Sequence, residues 1–237
     1  MTLHILDGII VHLKPHKLRD IEEEIMEALF DLQFSLCDDS HLKMKQILDR
    51  IGPQVSKTQL TNIVQRKLEK LGYVHYTPYE GVRLTTEGFE VARKVARNHR
   101  LAEAMLFQIF HMPFKTIHEQ ACLLEHAISD EMAQYIYKAL PEKSTPFGIM
   151  IPMSANEEFA CSDQTIIDTP KGSKVVLTRI SIHNYETANH LFNYGINGIG
   201  EKFQVINQTK KSVVISNKGS EFTIPLDLAK TLYVDPV

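Results

Sequence analysis

The 237-residue chain has little cysteine, no CxxC pair and no long apolar run. Its three cysteines, Cys37, Cys122 and Cys161, are odd in number and far apart, which argues against a disulfide framework and for a reducing compartment. Without a CxxC pair, a closed structural zinc site of the paired-cysteine kind is excluded. No stretch of eighteen apolar residues occurs, so no membrane span is expected. The first residues lack the charged start, apolar run and small-residue cleavage site of a signal peptide, so the expected location is cytoplasmic. Residues 1–17 read instead as an N-terminal arm whose His4, His12 and His16 either bind metal adventitiously or, as the favoured reading, face solvent. There is no internal repeat and no low-complexity tract, and 43% apolar against 23% charged residues is a globular composition.

Charge is unevenly spread beneath a net −3. Residues 1–40 carry three Lys/Arg against nine Asp/Glu, whereas residues 41–100 carry twelve against five. A basic segment inside an acidic protein is a candidate polyanion-binding surface, with a solvated helix face as the alternative.

Hydrophobic spacing predicts an amphipathic helix over Leu18–Leu36, with Ile21, Ile25, Ala28, Leu29 and Leu32 on one face. A short helix over His41–Arg50 ends at Gly52-Pro53. Ser56 or Thr58 caps the next, which runs to Leu71 and stops at Gly72. Its apolar side is Leu60, Val64, Leu68 and Leu71; the opposite side carries Thr58, Gln59, Thr61, Asn62, Gln65 and Arg66. Two short runs around Thr77-Pro-Tyr-Glu-Gly81 form a hairpin, after which Thr86 caps a long helix reaching about Phe110. Helix, turn, helix and hairpin is the order of a winged helix-turn-helix. The second helix offers amides, hydroxyls and arginine to a major groove. Gln59 and Asn62 suit base edges, while Arg66, Lys67 and Arg83 suit phosphates. A small α+β domain using that helix for protein contacts is the alternative.

A further helix over Ile117–Leu140 is apolar enough to pack against a second copy of itself, predicting a homodimer. Residues 141–164 read as a linker. From Thr165 onward, strands at Lys174–Ile182, Phe203–Asn207, Ser212–Ser216 and Glu221–Ile224, interrupted by a short helix near Glu186–Phe192, suggest a small SH3-like barrel. The expected fold is therefore α+β and multidomain. Residues 18–92 form a winged helix-turn-helix, 93–140 a helical metal-binding and dimerisation domain, and 165–237 an SH3-like β-barrel.

His99, Glu103, His118, Cys122, Glu125 and His126 carry the chemistry. On one continuous helix at about 100° per residue, His118, Cys122, Glu125 and His126 share an arc of about 100°. His99 and Glu103, at i and i+4, stack on another face. Imidazole, thiolate and carboxylate together suit a divalent first-row metal rather than calcium or magnesium. The same Cys and His pair can be read as a nucleophile, but no oxyanion-hole motif or orienting acid accompanies it. Two rival readings stay open: a winged-helix regulator sensing an organic ligand or redox state, and a metal- or thiol-dependent enzyme.

Gly81-Val-Arg-Leu-Thr-Thr-Glu-Gly88, Asn98-His-Arg-Leu-Ala-Glu103 and Ile117-His-Glu-Gln-Ala-Cys-Leu-Leu-Glu-His-Ala-Ile-Ser-Asp-Glu131 resemble the diphtheria toxin repressor family of iron- and manganese-dependent regulators. Thr145-Pro-Phe-Gly148 resembles that family's connection to its C-terminal SH3-like domain. The resemblance implies a dimeric, operator-binding repressor with Fe(II) or Mn(II) as co-repressor and no enzymatic activity. It implies a primary site of Cys122, Glu125 and His126 with Glu24 from the first helix, where iron-type members carry Met and manganese-type members Asp. Glu27 matches a further carboxylate of manganese-type members. An ancillary site would use His99, Glu103 and His118. The positions where iron-type members complete that site from the third domain read nearer Asn184 and Thr187, with His183 and Glu186 adjacent.

Overall fold

In the computed structural model, residues 4–6, 9–11, 18–36, 41–53, 55–154, 164–181, 191–196 and 198–237 are described. The arm contributes two short antiparallel strands, β1 (His4–Leu6) and β2 (Ile9–Val11). Helix α1 (Asp20–Leu36) begins with Asp20, Glu22 and Glu23, which complement the positive end of its dipole. Its Ile25, Met26, Leu29 and Phe30 are fully buried. Helix α2 (Met44–Ile51) ends at Gly52, whose φ of +82° stops the helix without a Cβ penalty.

Helix α3 (Lys57–Ile63) is capped by Ser56. The Gln59 amide donates to the Ser56 hydroxyl, and the Gln59 side-chain oxygen accepts from the Ser56 amide at 3.0 Å. The helix expected to reach Leu71 instead changes pitch: Val64–Leu68 is a π-helical turn in which Glu69 N donates to Val64 O at 2.9 Å. The wider turn keeps Leu60, Val64 and Leu68 all buried on one side.

Strands β3 (Val74–Thr77) and β4 (Gly81–Leu84) form the expected hairpin. Its return strand docks on the entrance to α2 through reciprocal Leu42–Val82 backbone bonds of 2.8 and 2.9 Å. Gly81 permits that approach, since a Cβ there would lie 2.2 Å from the Leu42 carbonyl oxygen. The long helix α4 (Thr86–Gln108) is capped by Thr85 rather than Thr86, its hydroxyl accepting from Gly88 N at 2.9 Å. Gly88 has no alternative, because a Cβ would sit 1.7 Å from Tyr73 O.

The expected single helix over Ile117–Leu140 is two. Helix α5 (Ile117–Leu124) tightens into a 3₁₀ turn, Glu125–Ala127, and Ser129 caps α6 (Asp130–Ala139). The Ser-Asp-Glu run that follows the candidate ligands is thus a helix start. Residues 141–154, expected as linker, are packed: Ser144 and Met150 bridge, and Phe147 and Ile151 are buried. Arg93 donates to Pro152 O at 2.8 Å from α4.

Strands β5 (Lys174–Ile180), β6 (Lys202–Gln208), β7 (Ser212–Asn217), β8 (Ser220–Pro225) and β9 (Leu232–Pro236) form one antiparallel sheet in the order β8-β7-β6-β5-β9. β9 carries no sequence expectation, being short and ending in Asp-Pro-Val. Among the described residues the sheet does not close into the expected barrel, and β8 and β9 remain its edges. The short helix expected near Glu186–Phe192 falls mostly outside the described residues; Phe192–Tyr194 is a 3₁₀ turn. Three hydrophobic clusters result: one over 18–96, one over 101–151 and one centred on the sheet.

Candidate metal centre and helix surface

Helices α1, α4 and α5 bring a group of ionisable side chains into their shared interior. His99 of α4 is at the centre, 2% exposed. Its Nε2 lies 3.1 Å from Glu103 Oε1, one turn along the same helix. Its Nδ1 meets Glu125 Oε2 and lies 4.0 Å from Glu27 Oε1 of α1. His118 Nδ1 approaches His99 Nε2 at 3.1 Å, and Cys122 Sγ approaches His118 Nε2 at 3.4 Å. Two sets therefore bring their donor atoms within 4.8 Å of one another: His99, His118 and Cys122, and Glu27, His99 and Glu125.

This grouping differs from the division that the resemblance implies. Cys122 sits with the two histidines rather than with Glu125 and His126, and His99 belongs to both sets. The break after Leu124 is the reason. On a continuous helix the four residues would share one face, but the 3₁₀ turn rotates His126 away. His126 Nδ1 pairs at 2.5 Å with Glu23 instead, while its Nε2 stays 3.6 Å from Glu125 Oε1. Glu24 is half-buried beside this group without entering either set. Glu23 is the partner that sequence reasoning missed, since a Glu-Glu-Glu run on a helix reads as a solvated face. His183 and Glu186 lie outside the described residues.

Proton affinities follow burial and neighbours. Burial raises Glu27 from 4.5 to about 7, with His99 opposing and Glu125 adding to the rise. Burial also raises Glu24, assisted by Glu125. Burial would raise Glu103 too, but His99 and His118 outweigh it and hold its carboxyl at about 2. Desolvation lowers His118 to about 4, leaving a neutral imidazole at neutral pH. Burial pushes the Cys122 thiol up against His99, and Glu23 and Glu125 lift His126 despite its partial burial.

The donor set fits a divalent first-row cation. Three carboxylates, Glu27, Glu103 and Glu125, are at most 9% exposed in one cluster, an arrangement that repels itself unless positive charge is supplied. Glu125 Oε1 is buried and accepts no hydrogen bond from the described residues. Asn98 fixes the turn that presents Glu125, donating to the Glu125 and Ile128 carbonyls at 3.2 and 2.8 Å.

Beside the cluster, α1 and α4 continue one rung further. Asp31 accepts from Arg100 Nη2 at 2.7 Å and from Arg50 Nη2 of α2 at 2.6 Å. Burial pushes Asp31 up, but the Arg100 and Arg50 guanidiniums prevail and hold it below the usual carboxylate range. Arg93, Arg97 and Arg100 are all under 7% exposed, so much of the basic segment's charge faces inward.

The residues expected to meet a polyanion lie on α3, its π turn and β4. Thr58, Gln59, Asn62 and Arg66 are exposed, and Thr61, Gln65, Lys67 and Arg83 of β4 are half-exposed. Gln59 serves the α3 cap, and the Thr61 hydroxyl donates back to Lys57 O at 2.8 Å. Both therefore have local roles besides any outward contact.

Residues 85–153 match the family described as "Iron dependent repressor, metal binding and dimerisation domain". The diphtheria toxin repressor of Corynebacterium glutamicum is 29% identical over 231 residues, covering 93% of this chain and 98% of that protein. The iron-dependent repressor IdeR of Mycobacterium leprae is 26% identical over 233 residues, covering 93% and 99%. In fold, the chain is similar to the manganese regulator SloR, with a TM-score of 0.75 at 22% identity, covering 91% of this chain and 98% of that one.

Proposed function

We propose that the chain belongs to the diphtheria toxin repressor family and is a metal-dependent transcriptional repressor, with Fe(II) or Mn(II) as co-repressor. The observation that carries the reading is the convergence of Glu27, His99, His118, Cys122 and Glu125, drawn from α1, α4 and α5 with the turn that follows it. A bound divalent cation would supply the positive charge that this carboxylate-rich cluster lacks. His118 is already neutral and Glu103 already ionised, so neither proton opposes coordination near neutral pH. Glu27 and Cys122 are the ligands that must give up a proton, and Glu27 belongs to α1, the helix packed on α2.

In this reading residues 18–92 form a winged helix-turn-helix whose α3 enters the major groove. Asn62 and Gln59 face base edges there, and Arg66, Lys67 and Arg83 face phosphates. Residues 93–140 bind metal and pair with a second copy. Leu123, Met132 and Tyr135, at 72%, 45% and 67% exposure, supply apolar surface for that contact. The C-terminal five-stranded sheet is the SH3-like domain. No helix among the described residues is long and apolar enough to cross a membrane, and we place the protein in the cytoplasm. Drawing α1 to α4 and α5 narrows the orientations of the two recognition helices, so that metal raises DNA affinity by a coupling of about 1–3 kcal/mol.

The test is fluorescence anisotropy of a duplex selected from random-sequence DNA by the metal-loaded protein. Fe(II) or Mn(II) should tighten binding at least tenfold relative to chelator. Equal affinity under both conditions would remove the reading.

A further inference from the structure

Two polar rungs run side by side where α1 crosses α4. Glu27 faces His99, Asp31 one turn later takes Arg100, and Arg50 closes the fork from α2. The Asp31 carboxylate is thus bonded to cations from two other helices, to Arg50 at 2.6 Å and to Arg100 at 2.7 Å. Arg100 is further fixed over the Phe30 ring at 5.5 Å and on the Met150 carbonyl at 2.9 Å. Arg50 lies in the last turn of α2, immediately before Gly52-Pro53 leads into the Ser56 cap of α3. Its charge reaches the cluster, lowering the proton affinity of both Glu27 and His118.

We propose that Asp31 is the positioning residue through which the metal cluster sets the α2–α3 pair, holding Arg50 and Arg100 in one carboxylate fork. The proposal rests on the metal-dependent repressor reading and deepens it. Two guanidiniums packed beside a cluster that gains positive charge repel both it and each other. Their common anion lets α2 stay against α1 and α4 when that charge arrives. Without Asp31, Arg100 keeps its bonds to Met150 and Phe30, while an ion pair that ties the end of α2 to α1 is lost. The end of α2 then swings out, and α3 moves with it. A buried pair broken on one side leaves an uncompensated charge, so the effect should appear as misplacement of α2 rather than as weaker coordination.

The experiment uses the full chain as Asp31→Asn, Arg50→Gln and Arg50→Lys, with Mn(II) calorimetry, thermal melting and anisotropy on the selected duplex with and without Mn(II). Asp31→Asn and Arg50→Gln should bind Mn(II) within about threefold of wild type, while the ratio of DNA affinities with and without metal falls about tenfold. The double variant should be no worse than either single, and Arg50→Lys should recover part of the ratio. A merely structural role would lower melting temperature and both DNA affinities but leave the ratio intact, and that result overturns the proposal. If Asp31→Asn fails to fold, the two Arg50 variants decide by the same ratio. A wild-type protein with no metal dependence overturns the repressor reading itself, and this proposal with it.

Discussion

Replacing Glu27 with Gln should make the metal-free protein more stable at alkaline pH and less responsive to metal. Burial holds the Glu27 carboxyl at about 7 in the folded state against 4.5 when free. The folded form thus keeps its proton to higher pH than the unfolded chain, and stability falls as pH rises through 4.5 until the group ionises near 7. At about 1.4 kcal/mol per tenfold change in proton affinity, the ionised carboxylate costs about 3 kcal/mol at pH 8. At pH 5 the folded form is protonated, and the cost shrinks to under about 1 kcal/mol. A neutral amide of the same shape avoids the cost at both values. Chelator-treated Glu27→Gln should therefore melt several degrees above wild type at pH 8, with the gap closing towards pH 5. Mn(II) at about a thousand times its Kd should reverse the order, since it adds about 4.1 kcal/mol to a protein that binds it. Thermal melts at pH 5 and pH 8, each with and without Mn(II), supply all four comparisons. If Glu27→Gln melts below wild type without metal at pH 8, the carboxylate is not held in a desolvated, metal-demanding state and the reasoning fails.

Cys122→Ser should abolish the near-ultraviolet thiolate charge-transfer band of the Co(II) form, and an unchanged spectrum would take Cys122 out of the site. Asn98→Ala removes two donors to the turn bearing Glu125 and should cost about 1–3 kcal/mol while weakening Mn(II) binding in calorimetry. Arg66→Ala should weaken DNA binding evenly across sequences and reduce the salt slope by about one, whereas Asn62→Ala should alter sequence preference in competition assays.

Much of the first half was legible in the sequence because its signals are local. The spacing of Ile25 and Leu29, the Gly52-Pro53 stop and the Thr77–Gly81 turn each act within a few residues. The π turn at Val64–Leu68 was not legible, because Leu60, Val64 and Leu68 fit an α-helical stripe equally well. The break after Leu124 had a signal in Ser129, a good N-cap ahead of Asp130 and Glu131, but the ligand spacing suggested one continuous helix. That break redistributes the site. Which histidine meets which carboxylate depends on how α1 lies against α4, and no spacing within one helix encodes it. The inward turn of Arg93, Arg97 and Arg100 was hidden for the same reason: a run of arginines looks alike whether it faces phosphate or Asp130 and Asp31.

The central claim is that metal and DNA binding are two ends of one equilibrium, and reciprocity tests it most directly. Mn(II) or Fe(II) titrated by calorimetry into the full chain, with and without saturating selected duplex, gives two metal affinities. The account predicts that DNA tightens metal binding by the same factor by which metal tightens DNA binding, at least tenfold. Identical metal affinities with and without DNA would contradict it.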